Sequence, residues 1–205
     1  GRGIDSLIPA VLPEEGEEIL HVSPGDIRPN PYQPRQIFDE AAIEELAASM
    51  KEHGVIQPLI VRRDGPGYQL VAGERRLRAA IKAGLDKIPV VVKSLSDREA
   101  MELSLVENLQ REDLGPIEEA EAYKRLSEEF GLTQEQIAQR VGKSRSDVAN
   151  TMRLLRLEPE IKQLINEGKI SGGHGRALVG LPREQQLVVA KAIVDKGLSV
   201  RETEE

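Results

Sequence analysis

A glycine followed by closely spaced arginines stands near the middle of the first half of the sequence. The run is Val71-Ala72-Gly73-Glu74-Arg75-Arg76, and Arg78 adds a third guanidinium group. A strand that passes through glycine into a helix leaves free backbone N–H groups at the helix start, and guanidinium groups add forked donors. The pattern favours an anionic ligand such as a phosphate. Arginines on a helix are equally typical of a solvated surface, so the residues alone leave both interpretations open.

A second group of oxygen-bearing side chains lies in Glu107-Asn108-Leu109-Gln110-Arg111. A carboxylate beside an amide oxygen could hold Mg²⁺ near a triphosphate, because this ion takes oxygen ligands shared between protein and phosphates.

The third pattern is GLTQEQIAQRVGKSRSDVANTMRLLRL, residues 131–157. Thr133 and Gln136 form a capping box, Gly142 supplies a tight turn, and Ser144 caps a second helix, which together predict a helix-turn-helix. Arginine, asparagine and serine suit base edges and phosphates. The residues expected to face DNA are Lys143, Ser144, Arg145, Ser146, Asn150 and Arg153. The alternative is an ordinary helical hairpin with a charged, solvated surface.

A fourth pattern, Ser171-Gly172-Gly173-His174-Gly175-Arg176, opens a further helix with accessible backbone and a basic side chain. His174 could be only a helix cap. A contact of His174 and Arg176 with DNA phosphate is the other interpretation, and both stay open at this point.

The composition excludes several chemistries. The 205 residues contain no cysteine, which rules out disulfide frameworks, thiolate nucleophiles, cysteine-based zinc sites and iron–sulfur clusters. Any metal must therefore be held by oxygen or histidine. No apolar run reaches the length of a membrane span, and the first residues lack a secretory signal, so the sequence predicts a soluble, cytoplasmic protein.

The net charge of −7 is unevenly distributed. Residues 1–53 contain 11 acidic and 4 basic side chains, whereas residues 54–205 contain 24 of each. Residues 131–157 carry five bases against two acids. A basic region within an acidic protein is compatible with DNA binding.

The elements that must position these residues change character near residue 95. Before it, the patterns predict a helix begun by Asp39 and ended by Gly54, strands at 55–63, 68–72 and 88–93, and a helix at about 74–83. After it, every segment is predicted as helix: about 97–111, 116–130, 133–141, 144–156, 160–167, 174–180 and 184–196. The fold class is therefore α+β followed by an all-α unit. A capping box, Ser199 with Glu202, opens one more helix and predicts that the chain continues beyond residue 205.

The order of these motifs resembles that of the ParB family of bacterial chromosome-partitioning proteins. The motifs are the arm GRGIDSLIP, then NPYQPR, IQPLIVR, GERRLRA, VENLQR, PIEEA, the helix-turn-helix and ISGGHGRAL. GERR with ENLQR at this separation is very specific. Gly115 and Gly175 depart from the family pattern, which usually has asparagine and alanine there.

The resemblance implies a protein that binds the palindromic DNA site parS, binds CTP or CDP with Mg²⁺, hydrolyses CTP slowly when parS stimulates it, and closes as a sliding clamp. It implies that Gly73, Arg75 and Arg76 hold phosphates and that Glu107 and Asn108 hold Mg²⁺. It further implies that Gln33 and Arg35 contact the nucleotide from the other side and that Glu74 positions the attacking water. The preference for cytosine rests on the resemblance alone.

The implied organisation is an arm at residues 1–20, a CTP-binding α+β domain at 21–112, a parS-binding helical domain at 113–205, and a C-terminal dimerisation domain beyond them. The implied partners are parS DNA, a ParA-type ATPase that contacts residues 1–10, a second copy of the chain and a condensin loader, with no membrane, and the implied location is the nucleoid. The alternatives are a nucleoid-occlusion relative, which reads a different palindrome, and a plain helix-turn-helix regulator, which has no use for GERR and ENLQR.

Overall fold

The computed structural model describes residues 17–32, 39–55, 57–111 and 113–205. Most of the predicted arm, together with Gln33 and Arg35, lies outside these residues, so the roles expected of them stay predictions. The chain divides into two compact units, Gly1–Glu107 and Asn108–Glu205. No helix in the described residues is both long enough and apolar enough to cross a membrane.

The described part of the first unit contains five strands and three helices. The strands are β1 (Ile19–Val22), β2 (Ile27–Arg28), β3 (Leu59–Asp64), β4 (Gly67–Ala72) and β5 (Ile88–Val92). The helices are α1 (Glu40–His53), α2 (Glu74–Lys82) and α3 (Asp97–Asn108).

The strands form one mixed sheet in the order β1-β5-β3-β4-β2. The hairpin of β3 and β4 is antiparallel, with Val61 opposite Leu70, and β5 lies parallel to β3. At the two edges, β1 pairs antiparallel with β5 and β2 pairs parallel with β4. Strand β4 is therefore an interior strand, and its end leads directly into Gly73 and α2.

Both faces of this sheet are covered by helices. Side chains alternate along a strand, so Leu59 and Val61 of β3 pack in one buried cluster with Leu77 of α2, while Ile60 packs in another with Ala100 of α3. Helix α1 joins the first cluster through Ile43, Ala47 and Met50. The sheet thus fixes α2 and α3 on opposite faces.

Two details of the sheet differ from the sequence prediction. The first predicted strand begins at Leu59 rather than Val55, because Pro58 has no N–H with which to join the ladder. Strands β1 and β2 were not predicted, since segments of four and two residues at sheet edges carry little periodic signal.

The second unit is helical throughout its described length. Its helices are α4 (Pro116–Glu128), α5 (Gln134–Val141), α6 (Arg145–Arg153), α7 (Pro159–Asn166), α8 (Gly172–Leu178), α9 (Arg183–Lys196) and α10 (Val200–Glu204). A short 3-10 turn at Leu154–Arg156 follows α6 where the sequence predicted more helix. The Ser199 capping box does open a helix, α10.

The core of the second unit is almost entirely aliphatic. One cluster of buried side chains among its described residues comprises Ile117, Leu154, Leu157, Ile161, Ile165, Ile170, Leu178, Ala190 and Ile193. Tyr123 of α4 is also buried, together with Ile137 of α5 and Val148 of α6. Helix α6 packs against both α5 and α4, which holds α5 and α6 as a helix-turn-helix.

Candidate functional site

Gly73 connects β4 to α2 in a backbone conformation that favours glycine, with φ of 112°. An added Cβ would collide with Leu59 Cδ2 and would lie 3.2 Å from Arg76 Nη2. The close approach that requires glycine here is therefore made by the protein's own β3 and by Arg76.

Arg76 lies in the first turn of α2 and is held beneath this glycine turn. Its Nη1 donates to the backbone oxygens of Gln57, at 3.2 Å, and Pro58, at 2.7 Å. Its Nη2 lies 3.6 Å from Glu107 Oε1 of α3. Burial lowers the pKa of Arg76, although Glu107 acts in the opposite direction. A fixed, partly desolvated guanidinium is a strong partner for an anion.

The other arginines of the motif diverge from Arg76, since neighbouring residues on a helix point about 100° apart. Arg75 is exposed and lines a shallow cavity against α1, with Ala42 and Leu46 among its neighbours. Arg78 Nε lies 3.3 Å from Glu74 Oε1, which holds Glu74 along the surface of α2. The structure thus brings Gly73, Arg76 and Glu107 together and places Arg75 towards α1.

Glu107 and Asn108 are consecutive residues at the end of α3. The Glu107 side chain is 38% exposed. Asn108 Oδ1 accepts a hydrogen bond of 3.2 Å from Arg111, which also makes a two-point contact with Asp113. One carboxylate and one amide oxygen fit Mg²⁺ when phosphates complete its coordination. Among the described residues no group of three or more histidine, aspartate or glutamate side chains forms a site of its own.

Sequence reasoning missed a buried polar network that sets the position of α3. Asn30 Nδ2 donates to Ser104 Oγ, at 2.7 Å, and to the backbone oxygen of Val71, at 3.1 Å. Ser104 Oγ also donates to Val71. Asn30 and Ser104 are 7% and 2% exposed. The network ties α3 to the end of β4 and so fixes Glu107 against Arg76. A serine within an otherwise apolar helix face was the available signal.

The turn between α5 and α6 has the geometry that the sequence predicted. The capping box of Thr133 and Gln136 is formed, and Gly142 ends α5 in the left-handed region at φ of 70°. Ser144 Oγ accepts from the Asp147 N–H at 3.1 Å and so begins α6. Arg145 and Ser146, in the first turn of α6, are exposed.

Most of the side chains predicted to face DNA are exposed. We use the name basic face for the set Lys143, Ser144, Arg145, Ser146, Asn150, Arg153 and Arg176, of which Asn150 alone is half-buried. Arg176 of α8 lines one groove with Asn150 and Arg153 and a second groove with Lys143 and Ser144. The structure therefore brings α6 and α8 to one basic surface.

His174 acts as a helix cap. Its Nδ1 accepts from the Ser171 N–H at 3.0 Å, and its Nε2 lies 2.8 Å from the backbone oxygen of Leu198. The next residue, Gly175, is buried, and a Cβ there would lie 2.9 Å from Ile165 and Leu154. Of the two interpretations left open for His174, the structure shows the cap, and a DNA contact stays a prediction.

The comparisons with known proteins cover both units. Residues 10–109 match the ParB N-terminal domain and residues 112–205 match the ParB HTH domain. The chain is 55% identical over 204 residues to the chromosome-partitioning protein Spo0J of Thermus thermophilus, of which it spans 74%. The chain belongs to the ParB family. This membership and the predicted fold class, α+β followed by a helix-turn-helix unit, are confirmed.

Other relatives are similar to the chain over most of its length. Stage 0 sporulation protein J of Bacillus subtilis is 51% identical over 208 residues, and the chain spans 73% of it. A nucleoid occlusion protein of Bacillus mycoides is 51% identical over 92% of the chain and 66% of that protein. A C-terminally truncated ParB from Caulobacter crescentus, solved in complex with the centromeric parS site, matches with 45% identity and a TM-score of 0.83 over 90% of the chain and 96% of that structure.

Proposed function

We propose that this chain is a CTP-dependent parS-binding protein that acts as a sliding clamp in chromosome segregation. The observation that carries the proposal is the basic face, on which two helices of the helix-turn-helix unit converge. The likeness to a ParB that was solved with parS supports the same conclusion.

The residues of the basic face divide by chemistry. Arg145 is the first residue of α6, where contacts with base edges concentrate in helix-turn-helix proteins, and arginine pairs with guanine in the major groove. Asn150 has the amide geometry that suits adenine. Lys143, Arg153 and Arg176, with the hydroxyls of Ser144 and Ser146, suit phosphates and fix the register of α6 on the duplex.

The nucleotide part of the proposal rests on the first unit. Arg76, fixed by two backbone oxygens, contacts phosphate beside the N-terminal turn of α2, and Arg75 contacts it from the side of α1. Glu107 and Asn108 would hold Mg²⁺, which would supply positive charge to offset that of the phosphates. Gln33 and Arg35 contact the nucleotide as well. The choice of CTP comes from the motif resemblance.

Hydrolysis is assigned to Glu74. A carboxylate next to polyphosphate is repelled, so a binding role is implausible for this residue. We infer that Glu74 orients a water molecule, whose oxygen forms a bond to the γ-phosphorus while the bond to the β-phosphate bridging oxygen breaks, giving CDP and phosphate. Phosphoryl transfer depends mainly on such positioning and on electrostatics. The contact with Arg78 holds Glu74 in place at the start of α2.

The partners in this proposal are parS DNA, a second copy of the chain, a ParA-type ATPase that contacts residues 1–10, and a condensin loader. The nucleoid is the proposed location. The nucleoid-occlusion alternative is kept, because a relative of that name is as similar as the sporulation protein.

Calorimetric titration with each of the four nucleoside triphosphates, with and without a parS duplex, tests the proposal. We expect binding of CTP alone among the four, in the presence of Mg²⁺. Equal binding of all four, or of none, would contradict the nucleotide assignment. Anisotropy with parS and with a palindrome of different sequence separates chromosome partitioning from nucleoid occlusion.

A further inference from the structure

Lys143, which belongs to the basic face, is held by a carboxylate from another helix. Its Nζ contacts Glu119 Oε1 of α4 at 2.5 Å. The Glu119 side chain is 16% exposed, whereas Lys143 is 45% exposed. The acid is therefore embedded in the protein, and the base reaches inward to it from the surface that we assign to DNA.

Glu119 is itself fixed by a buried tyrosine. The hydroxyl of Tyr123, one helical turn further along α4, donates to the same oxygen, Oε1. Burial, together with this hydrogen bond, raises the pKa of Tyr123, so the hydroxyl stays protonated and keeps donating. The oxygen that Lys143 contacts therefore has a set position.

The groove that Lys143, Ser144 and Arg176 line contains other charged groups. Glu119, Lys143, Asp147 and Arg176 all line it, with Ser144 and Thr151 between them. Two acids thus lie within a surface whose proposed partner is a polyanion. An acid on a DNA-binding surface repels phosphates and so weakens binding to any DNA. Its presence therefore suggests a role other than raising affinity.

We propose that Glu119 is a positioning residue that confers DNA specificity by restraining Lys143. On non-specific DNA the ammonium group stays with Glu119 and neutralises no phosphate. On parS, α6 is seated so that the restrained lysine meets the duplex. This inference rests on the proposed function of α6, and it adds a discriminating role to a residue outside the helix-turn-helix.

The test measures anisotropy with a parS duplex and a scrambled duplex over a series of salt concentrations. Each phosphate neutralised on duplex DNA changes the slope of log affinity against log salt by about −0.9. For Glu119→Gln we expect the slope on the scrambled duplex to steepen by about 0.9, so that its gain in affinity over the unsubstituted protein is about threefold larger at ~50 mM salt than at ~200 mM. Affinity for parS should change less, so the preference for parS falls.

Two further variants make the inference falsifiable. Glu129→Gln makes the same charge change at the opposite end of α4, where Glu129 pairs with Arg125 at 3.2 Å, and should leave the slope unchanged. When Lys143→Ala is already present, adding Glu119→Gln should not change the slope further. Persistence of the effect without Lys143, or an unchanged slope in Glu119→Gln, would overturn the inference.

Lys143→Ala alone gives a second, independent reading, because this exposed substitution does not depend on Glu119→Gln folding. We expect its slope on the scrambled duplex to equal that of the unsubstituted protein, while its parS affinity falls several-fold. A slope flatter by about 0.9 on the scrambled duplex would show that Lys143 is already available and would refute the restraint. Failure of the unsubstituted protein to prefer parS would instead refute the proposed function.

Discussion

At the scale of single residues, Arg76 matters more to the candidate nucleotide site than the repeated arginines around it. One terminal nitrogen of its guanidinium donates to two backbone oxygens and the other contacts Glu107, whereas lysine has a single terminal nitrogen and cannot reach both sides at once. Arg76→Lys should weaken CTP binding at least tenfold and lower the free energy of unfolding by about 1–3 kcal/mol. Calorimetry and urea denaturation measure the two effects. Arg78→Lys, on the exposed side of α2, is the control and should change neither.

Also at the residue scale, substitution of Arg145 tests whether α6 is the helix that contacts parS. Its side chain is exposed, and α6 is capped by Ser144 without it, so Arg145→Ala should fold normally. Loss of an arginine contact with guanine should cost about 1–3 kcal/mol of specific binding and little of non-specific binding. Anisotropy at fixed salt measures both. If parS affinity equals that of the unsubstituted protein, α6 does not read the site.

At the scale of elements, α4 begins with a glycine that gives the helix no side-chain cap. Gly115 is the N-cap, has an ordinary φ of −71°, makes no side-chain cap, and would find open space around an added Cβ. Gly115→Asn should therefore stabilise the unit by about 0.5–1 kcal/mol, through a new cap and a less flexible unfolded chain.

Gly142→Ala should destabilise the unit, because Gly142 has φ of 70°. Thermal unfolding that moves both variants in the same direction would contradict this account.

The elements also show what could be predicted from the sequence. Capping signals such as Thr133 with Gln136 are local, so the start of α5 lies within one residue of its prediction. The pairing of β2 with β4 at the sheet edge depends on residues far apart in the chain. So does the position of Arg76, which is held by the backbone oxygen of Pro58. The same holds for Asn30 with Ser104 and for Glu119 with Lys143. Local chemistry was readable, and the partners of the site residues were not.

At the scale of the whole molecule, we propose an anion site in the first unit and a DNA-binding basic face in the second. The net charge of −7 does not oppose this, because the acidic excess lies in residues 1–53 and the basic face collects local positive charge. Neither unit alone accounts for a chain that combines GERR, ENLQR and a helix-turn-helix. We therefore expect DNA of one sequence to control nucleotide turnover.

The direct test of this control is to measure phosphate release from CTP in the presence of Mg²⁺. The measurement is made once with a parS duplex and once with a scrambled duplex of equal length. We expect parS to stimulate release and the scrambled duplex to have no effect. Glu74→Ala should bind CTP yet release no phosphate with either duplex, which separates chemistry from binding. Equal release with the two duplexes would show that parS does not control turnover, and release by Glu74→Ala at the unsubstituted rate would show that Glu74 has no part in hydrolysis.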